Sequence, residues 1–219
     1  MVPVVRPDDR PRPRASALGA TARRPSPRDL VAAADRGAKV PDVAAPGLDV
    51  LFCGINPGRW SGAVGHHFAH PGNRFWKALH LAGFTDRQLE PAGDRLLLSY
   101  GIGITNLVER TTAAAADLAP DELRRGALSL ERKLGLLRPL SVAFLGMGAF
   151  RVAFGRPRAG PGRQHELCGG ADVWVLPNPS GLQAAYGLDQ VVDHLQALRR
   201  FVHDGRSCAG GPPGQRALR

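Results

Sequence analysis

Three short runs in this chain carry apolar residues at nearly every position: "LDVLFCG" (48–54), "LSVAFLG" (140–146) and the "DVWVL" that closes "HELCGGADVWVLPN" (165–178). A strand with one wet face alternates apolar and polar residues. A run this continuous must be covered on both faces, as strands of parallel sheets are. "GITNLVE" (103–109) reads as a further strand, and the 165–178 stretch reads as two strands joined by a Gly-Gly-Ala-Asp turn.

Helical patterns fill the intervals. "NRFWKALHLAG" (73–83) repeats Phe75, Leu79 and Ala82 at helical spacing and stops at Gly83. "PAGDRLLLSYG" (91–101) opens on a proline suited to a first turn. "APDELRRGALSLERKLGLLRP" (119–139) has Asp121 and Glu122 near its start and Pro139 at its end. "MGAFRVAFG" (147–155) and the amphipathic "GLDQVVDHLQALRRFVHD" (187–204) complete the set. Apolar strands alternating with helices predict right-handed β-α-β units around a mainly parallel sheet.

Ligands of such sheets sit beyond the carboxyl ends of the strands. Two strand ends here carry unusual loops: "GINPG" (54–58) after the first strand and "LPNPSGL" (176–182) at the last. The first continues to Trp76 through glycines, three histidines and four Phe and Trp residues without any period, and this irregular stretch lies where a pocket is expected.

The formal net charge of +10 points to a polyanionic partner. Most of it lies in the tails. Residues 1–47 hold nine Lys/Arg against five Asp, and residues 199–219 hold five Arg against Asp204. The chain is expected to be unstructured over 1–42, where Pro and Arg dominate, and flexible over 205–219, leaving one catalytic domain at 43–204. No apolar run reaches the roughly 20 residues that span a bilayer, and the N-terminal residues lack a signal pattern. A cytoplasmic, nucleoid-associated protein is the expectation. Cys53, Cys168 and Cys208 are far apart and odd in number, so neither a disulfide framework nor a zinc site is supported. "LGMGAF" (145–150) lacks the third glycine and the ribose acid of a dinucleotide site, and no P-loop is present.

"GINPG" (54–58), "HPGNRFW" (70–76) and "LPNPSGL" (176–182), in that order, resemble the mismatch-specific uracil-DNA glycosylases of the uracil-DNA glycosylase superfamily. "AGFTDRQLEP" (82–91) and "GITNLVERTT" (103–112) extend the resemblance, which spans roughly 43–204. It implies a three-layer α/β/α sandwich, base flipping and hydrolysis of an N-glycosidic bond. It implies no cofactor and no metal. The implied partner is double-stranded DNA with a mismatched or damaged pyrimidine, bound by a monomer.

The resemblance also implies roles. Asn56 matches the catalytic asparagine. Its amide oxygen can accept a hydrogen bond from water but takes no proton at neutral pH, so it positions water and is not a general base. Ile55 shapes the pocket wall, Gly58 allows close backbone approach, Ser61 lines the C5 side of the pyrimidine, and Phe68 stacks on the flipped base. Asn178 contacts the bound uracil. Ser180 caps the following helix or binds phosphate, and Gly181 and Leu182 form the wedge that fills the vacated stack. The bacterial members carry an arginine two residues past the wedge, where this chain has Ala184. "GHHF" (65–68) and "TNLVERTT" (105–112) are closer to the thymine-DNA glycosylase branch.

Alternatives remain open at this level. Asp86, Glu90 and Asp94 recur at intervals of four and share a face if the segment is helical; one of them reaching the pocket is a stronger base than Asn56. His66, His67 and His70 invite a metal, but no carboxylate or cysteine lies near them in sequence. The same two asparagine loops also suit a module that binds mismatched or abasic DNA without turnover.

Overall fold

The computed structural model describes residues 24–181 and 185–209. Five strands form one sheet in the order β2-β1-β3-β5-β4, with β1 at Val50–Gly54, β2 at Ile102–Asn106, β3 at Ser141–Leu145, β4 at Gly162–Cys168 and β5 at Ala171–Leu176. The pairs β1–β2, β1–β3 and β3–β5 are parallel, and only the edge strand β4 is antiparallel, against β5. Every residue of β1, β2 and β3 is buried, as their unbroken apolar runs require. The β4–β5 hairpin turns on Gly169 and Gly170, both at positive φ, the geometry of the primed hairpin turns.

Helices cover both faces, giving the three-layer sandwich. On one face α3 (Phe75–Leu81), the 3-10 helix Pro91–Tyr100 and α6 (Leu188–Ala209) pack over Phe52, Ile104, Leu145 and Leu176. On the other, α4 (Pro120–Leu137) and α5 (Met147–Ala153) pack over Leu51, Cys53, Val142 and Val175. In α4 the buried Leu123, Ala127, Leu130 and Leu134 recur at helical spacing. Pro120 sits in its first turn, and Arg138 ends it in the left-handed region before Pro139.

Several expectations need correction. Residues 24–42 are ordered, although their composition reads as an unstructured arm. Helix α1 (Pro27–Asp35) starts on a Ser26–Asp29 capping box, a device that stabilises by about 1 kcal/mol, and packs on α2 (Arg59–Val64). The connector to β1 is tied down by a Lys39–Glu109 ion pair, the Thr111 hydroxyl donating to Ala38 O, and paired backbone bonds between Val43 and Ile104. This segment borrows its stability from contacts distant in sequence. Residues 1–23 lie outside the described residues.

Helix α2 (Arg59–Val64) occupies part of the stretch expected to be irregular. Residues 91–100 form a 3-10 helix broken at Gly93. Helix α6 continues to Ala209, past the expected boundary at 204. Residues 82–90 are turns and extended chain, so Asp86, Glu90 and Asp94 share no helical face.

Candidate active site

The parallel strands end at a cavity of about 430 Å³, which lies where β1 has β2 on one side and β3 on the other. Gly54, Ile55, Asn56, Pro57 and Gly58 form its floor, with Asn106 from the end of β2, Leu145 from β3, and Asn178 and Ser180 from the loop after β5. Ser61, His67, Phe68, His70, Asn73 and Trp60 wall it, together with Leu30 of α1. The "GINPG" backbone is zipped to the chain leaving β2: Leu107 N–H donates to Gly54 O (2.8 Å), Val108 N–H to Ile55 O (2.9 Å) and Thr112 N–H to Pro57 O (3.2 Å).

That zipper fixes the Asn56 carboxamide. Its Nδ2 lies 3.0 Å from Arg110 O, 3.2 Å from Pro57 O and 2.7 Å from Thr112 Oγ1. The two carbonyls can only accept. The Thr112 hydroxyl donates its hydrogen to Ala114 O at 2.7 Å, so it too accepts from Asn56. The NH2 group therefore faces the protein, and Oδ1 remains as the acceptor offered to the cavity.

Asn178 has the opposite polarity. Its Oδ1 accepts from Ser180 N–H at 2.9 Å, which leaves its NH2 as the donor. An acceptor on one side and a donor on the other suits a water attacking as negative charge grows on a departing ring.

Phe68 is one of two non-glycine residues at positive φ (52°) among the described residues. Such strain costs on the order of 1–3 kcal/mol and collects at functional sites. The Ser61 hydroxyl accepts from Ala69 N–H (3.1 Å), and the Phe68 ring stacks on Phe75 with centroids 4.2 Å apart and planes 31° apart. Ser61 lines the cavity, with its hydroxyl engaged in holding the Phe68 turn. Gly54 is required beneath it: a Cβ there would stand 2.5 Å from Asn106 Oδ1 and 3.4 Å from the Phe68 ring.

Asn106 was not singled out in the sequence. The "GITNLVE" run reads as a strand, and only the fold brings its asparagine to the floor. His67, fully buried, orients it. His67 Nε2 lies 3.0 Å from Pro41 O, which can only accept, so Nε2 carries the hydrogen and Nδ1 accepts from Asn106 Nδ2 at 3.4 Å. Burial pushes the His67 pKa below its ordinary value, outweighing the Pro41 carbonyl and the charges of Asp94 and Asp42 that act to raise it.

The carboxylates are elsewhere. Asp94 is buried against His66 Nδ1 at 3.1 Å, Asp86 accepts from the Tyr100 hydroxyl, and Glu90 is exposed. No Asp or Glu lines the cavity among the described residues. The histidines are engaged separately, and no group of three His, Cys, Asp or Glu side chains is placed to hold a metal among the described residues. Burial pushes the Cys53 and Cys168 thiols up, the latter to about 11.

Gly181 lies outside the cavity lining, against Gly72. Ser180 does not cap α6, which begins at Leu188, where the Gln190 side chain accepts from Gly187 N–H instead. Leu182 and Ala184 lie outside the described residues.

Around the cavity, among the described residues, several asparagine side chains and no carboxylate converge, an arrangement suited to chemistry by positioning and hydrogen bonding. The chain matches the model of the uracil DNA glycosylase superfamily over residues 41–201 and belongs to that superfamily. Its members are DNA glycosylases, hydrolases of base-excision repair that act on DNA.

Proposed function

We propose that this protein excises uracil from DNA by monofunctional hydrolysis, with a G·U mismatch as its preferred duplex setting. The reading rests on the Asn56 carboxamide, whose oxygen is turned to the cavity by partners that can only accept from its nitrogen. Extruding a base costs a few kcal/mol, least at a mismatch, which favours G·U over A·U. The flipped ring stacks on Phe68, a contact of about 1–3 kcal/mol, and its polar edge faces Asn106 and Asn178.

The C1′–N1 bond then breaks with its electron pair moving to the base, and the Asn178 NH2 and nearby dipoles stabilise the charge on the ring. Water held by Asn56 Oδ1 attacks C1′. Its proton goes to the departing anion or to solvent, since Asn56 cannot take it. No lysine lines the cavity among the described residues, so no amine is offered for a Schiff base. The loop from Asn178 through Leu182 enters the duplex.

The test is an oligonucleotide panel bearing one uracil opposite guanine, opposite adenine or in a single strand, assayed by free uracil released and by alkali cleavage of abasic sites. Release fastest at G·U supports the reading. Tight binding of the G·U duplex with no uracil released makes the protein a mismatch-binding module.

A further inference from the structure

The loop that follows β5 is held in large part by Arg74. Arg74 directly precedes α3, and its backbone N–H donates to Pro179 O at 3.0 Å. Its Nε reaches the same oxygen at 3.4 Å, Nη2 donates to Ser180 O at 3.2 Å, and Nη1 donates to Tyr186 O at 2.6 Å. The guanidinium thus gathers carbonyls from both ends of the segment 181–185. Beside it the chains nearly touch: a Cβ on Gly181 would lie 2.5 Å from Gly72 O. Asn73, next to Arg74, lines the cavity together with Asn178 and Ser180.

We propose that Arg74 is a positioning residue that fixes the flanks of the loop after β5, Pro179 and Ser180 on one side and Tyr186 on the other, for engagement of duplex DNA. The inference rests on the function proposed above. A planar fork can bind three acceptors at fixed angles, whereas a lysine offers one point charge. Binding Ser180 and Tyr186 to one guanidinium fixes these flanking residues before DNA arrives. Flanks already fixed leave less contact energy to be spent on ordering when DNA binds. Three of the guanidinium nitrogens donate to protein carbonyls, so its role differs from that of a phosphate-binding arginine. Asn178 depends on it less, because its own turn to Ser180 N–H and the end of β5 hold it.

The test compares the full-length wild-type chain with R74K and R74Q. Single-turnover uracil release is measured from a G·U duplex and from a single strand of the same sequence, with duplex affinity followed against salt. Both variants are expected to lose about tenfold on the duplex, the scale of one lost hydrogen bond to a charged group, and less than about threefold on the single strand. The salt slope is expected to stay unchanged. R74K matching wild type while R74Q loses activity, with the slope of R74Q lower by about one, marks a phosphate contact and overturns the inference. Equal losses on both substrates, or unchanged duplex rates in both variants, overturn it as well. If melting shows R74Q unfolded, R74K carries the comparison, since it keeps the charge and stem. A wild-type chain that releases no uracil from either substrate overturns the proposed function and the inference with it. A wild type active on both, with either contrary pattern in the variants, overturns the inference alone.

Discussion

The two loops that meet at the cavity are built differently. The loop after β1 is anchored from within. Its backbone is paired with residues 107–112, Asn56 is held by Arg110 O and Thr112, and Phe68 is fixed in a strained turn by Ser61 and Phe75. Among its described residues, the loop after β5 has a turn from Asn178 to Ser180, and Arg74 holds Pro179, Ser180 and Tyr186. The first arrangement suits atoms that must stay fixed while bonds change. The second suits a segment that must leave its own surface and enter another. Rigidity is concentrated at Asn56, the residue proposed to aim the water, and the loop proposed to face DNA is held in large part by the backbone and side chain of Arg74.

The contrast breaks most readily at Asn56. Asn56→Ala is expected to slow single-turnover uracil release by about 10²–10³, the scale of removing one preorganised polar group, with duplex affinity little changed. A loss no larger than that of Asn178→Ala, measured in the same assay, removes the distinction between the loops. Gly54→Ala tests the anchoring itself. The new Cβ meets Asn106 Oδ1 at 2.5 Å, and relieving such overpacking costs about 1–3 kcal/mol. A lower denaturant midpoint with weakened activity is expected, whereas unaltered stability means the floor yields to the extra methyl group. Thr112→Val removes one acceptor from Asn56 Nδ2 and leaves the fold intact. The rate is expected to fall by about five- to tenfold, the effect of one ordinary hydrogen bond, with KM unchanged.

Parts of this architecture are legible in the sequence because the physics is local. A strand covered on both faces needs apolar residues throughout, so β1 and β3 are visible without a partner. That Ile55, Asn56, Gly58, Ser61, Phe68 and Asn178 gather around one cavity is what the family resemblance of their loops implies, and all six line it. The groups that orient them are not visible in this way. Asn106 and His67 are 39 residues apart in sequence, and Thr112 is 56 from Asn56. No pattern in either segment announces the meeting. Helix α1 was hidden for a related reason: a capped helix with one buried alanine is lost among prolines and arginines until its contact with α2 is known. The three acidic residues misled because interval alone does not make a helix. The chain between Gly83 and Pro91 bends without forming a helix, and Asp94 turns to His66 instead of the cavity.

The smallest expected effect is also the one that separates orientation from chemistry. His67 is buried with its pKa below the ordinary 6.5, so the unfolded chain takes up the proton first as pH falls. Its contribution to stability is complete above 6.5 and is lost as pH drops from there toward the lower folded value. Denaturant midpoints between about pH 7.5 and about pH 5.5 are expected to decline gently in the wild type and to lose that component in His67→Asn. Protonation also turns Nδ1 from acceptor to donor, so that it confronts the Asn106 NH2 it now receives. Asn56 does not titrate. If His67→Asn flattens the acid limb of uracil release as well as that of stability, the limb reports how Asn106 is oriented. If the rate limb survives the substitution while the stability limb vanishes, orientation of Asn106 is separate from catalysis, and the rigid loop owes its function to Asn56 and Thr112 alone.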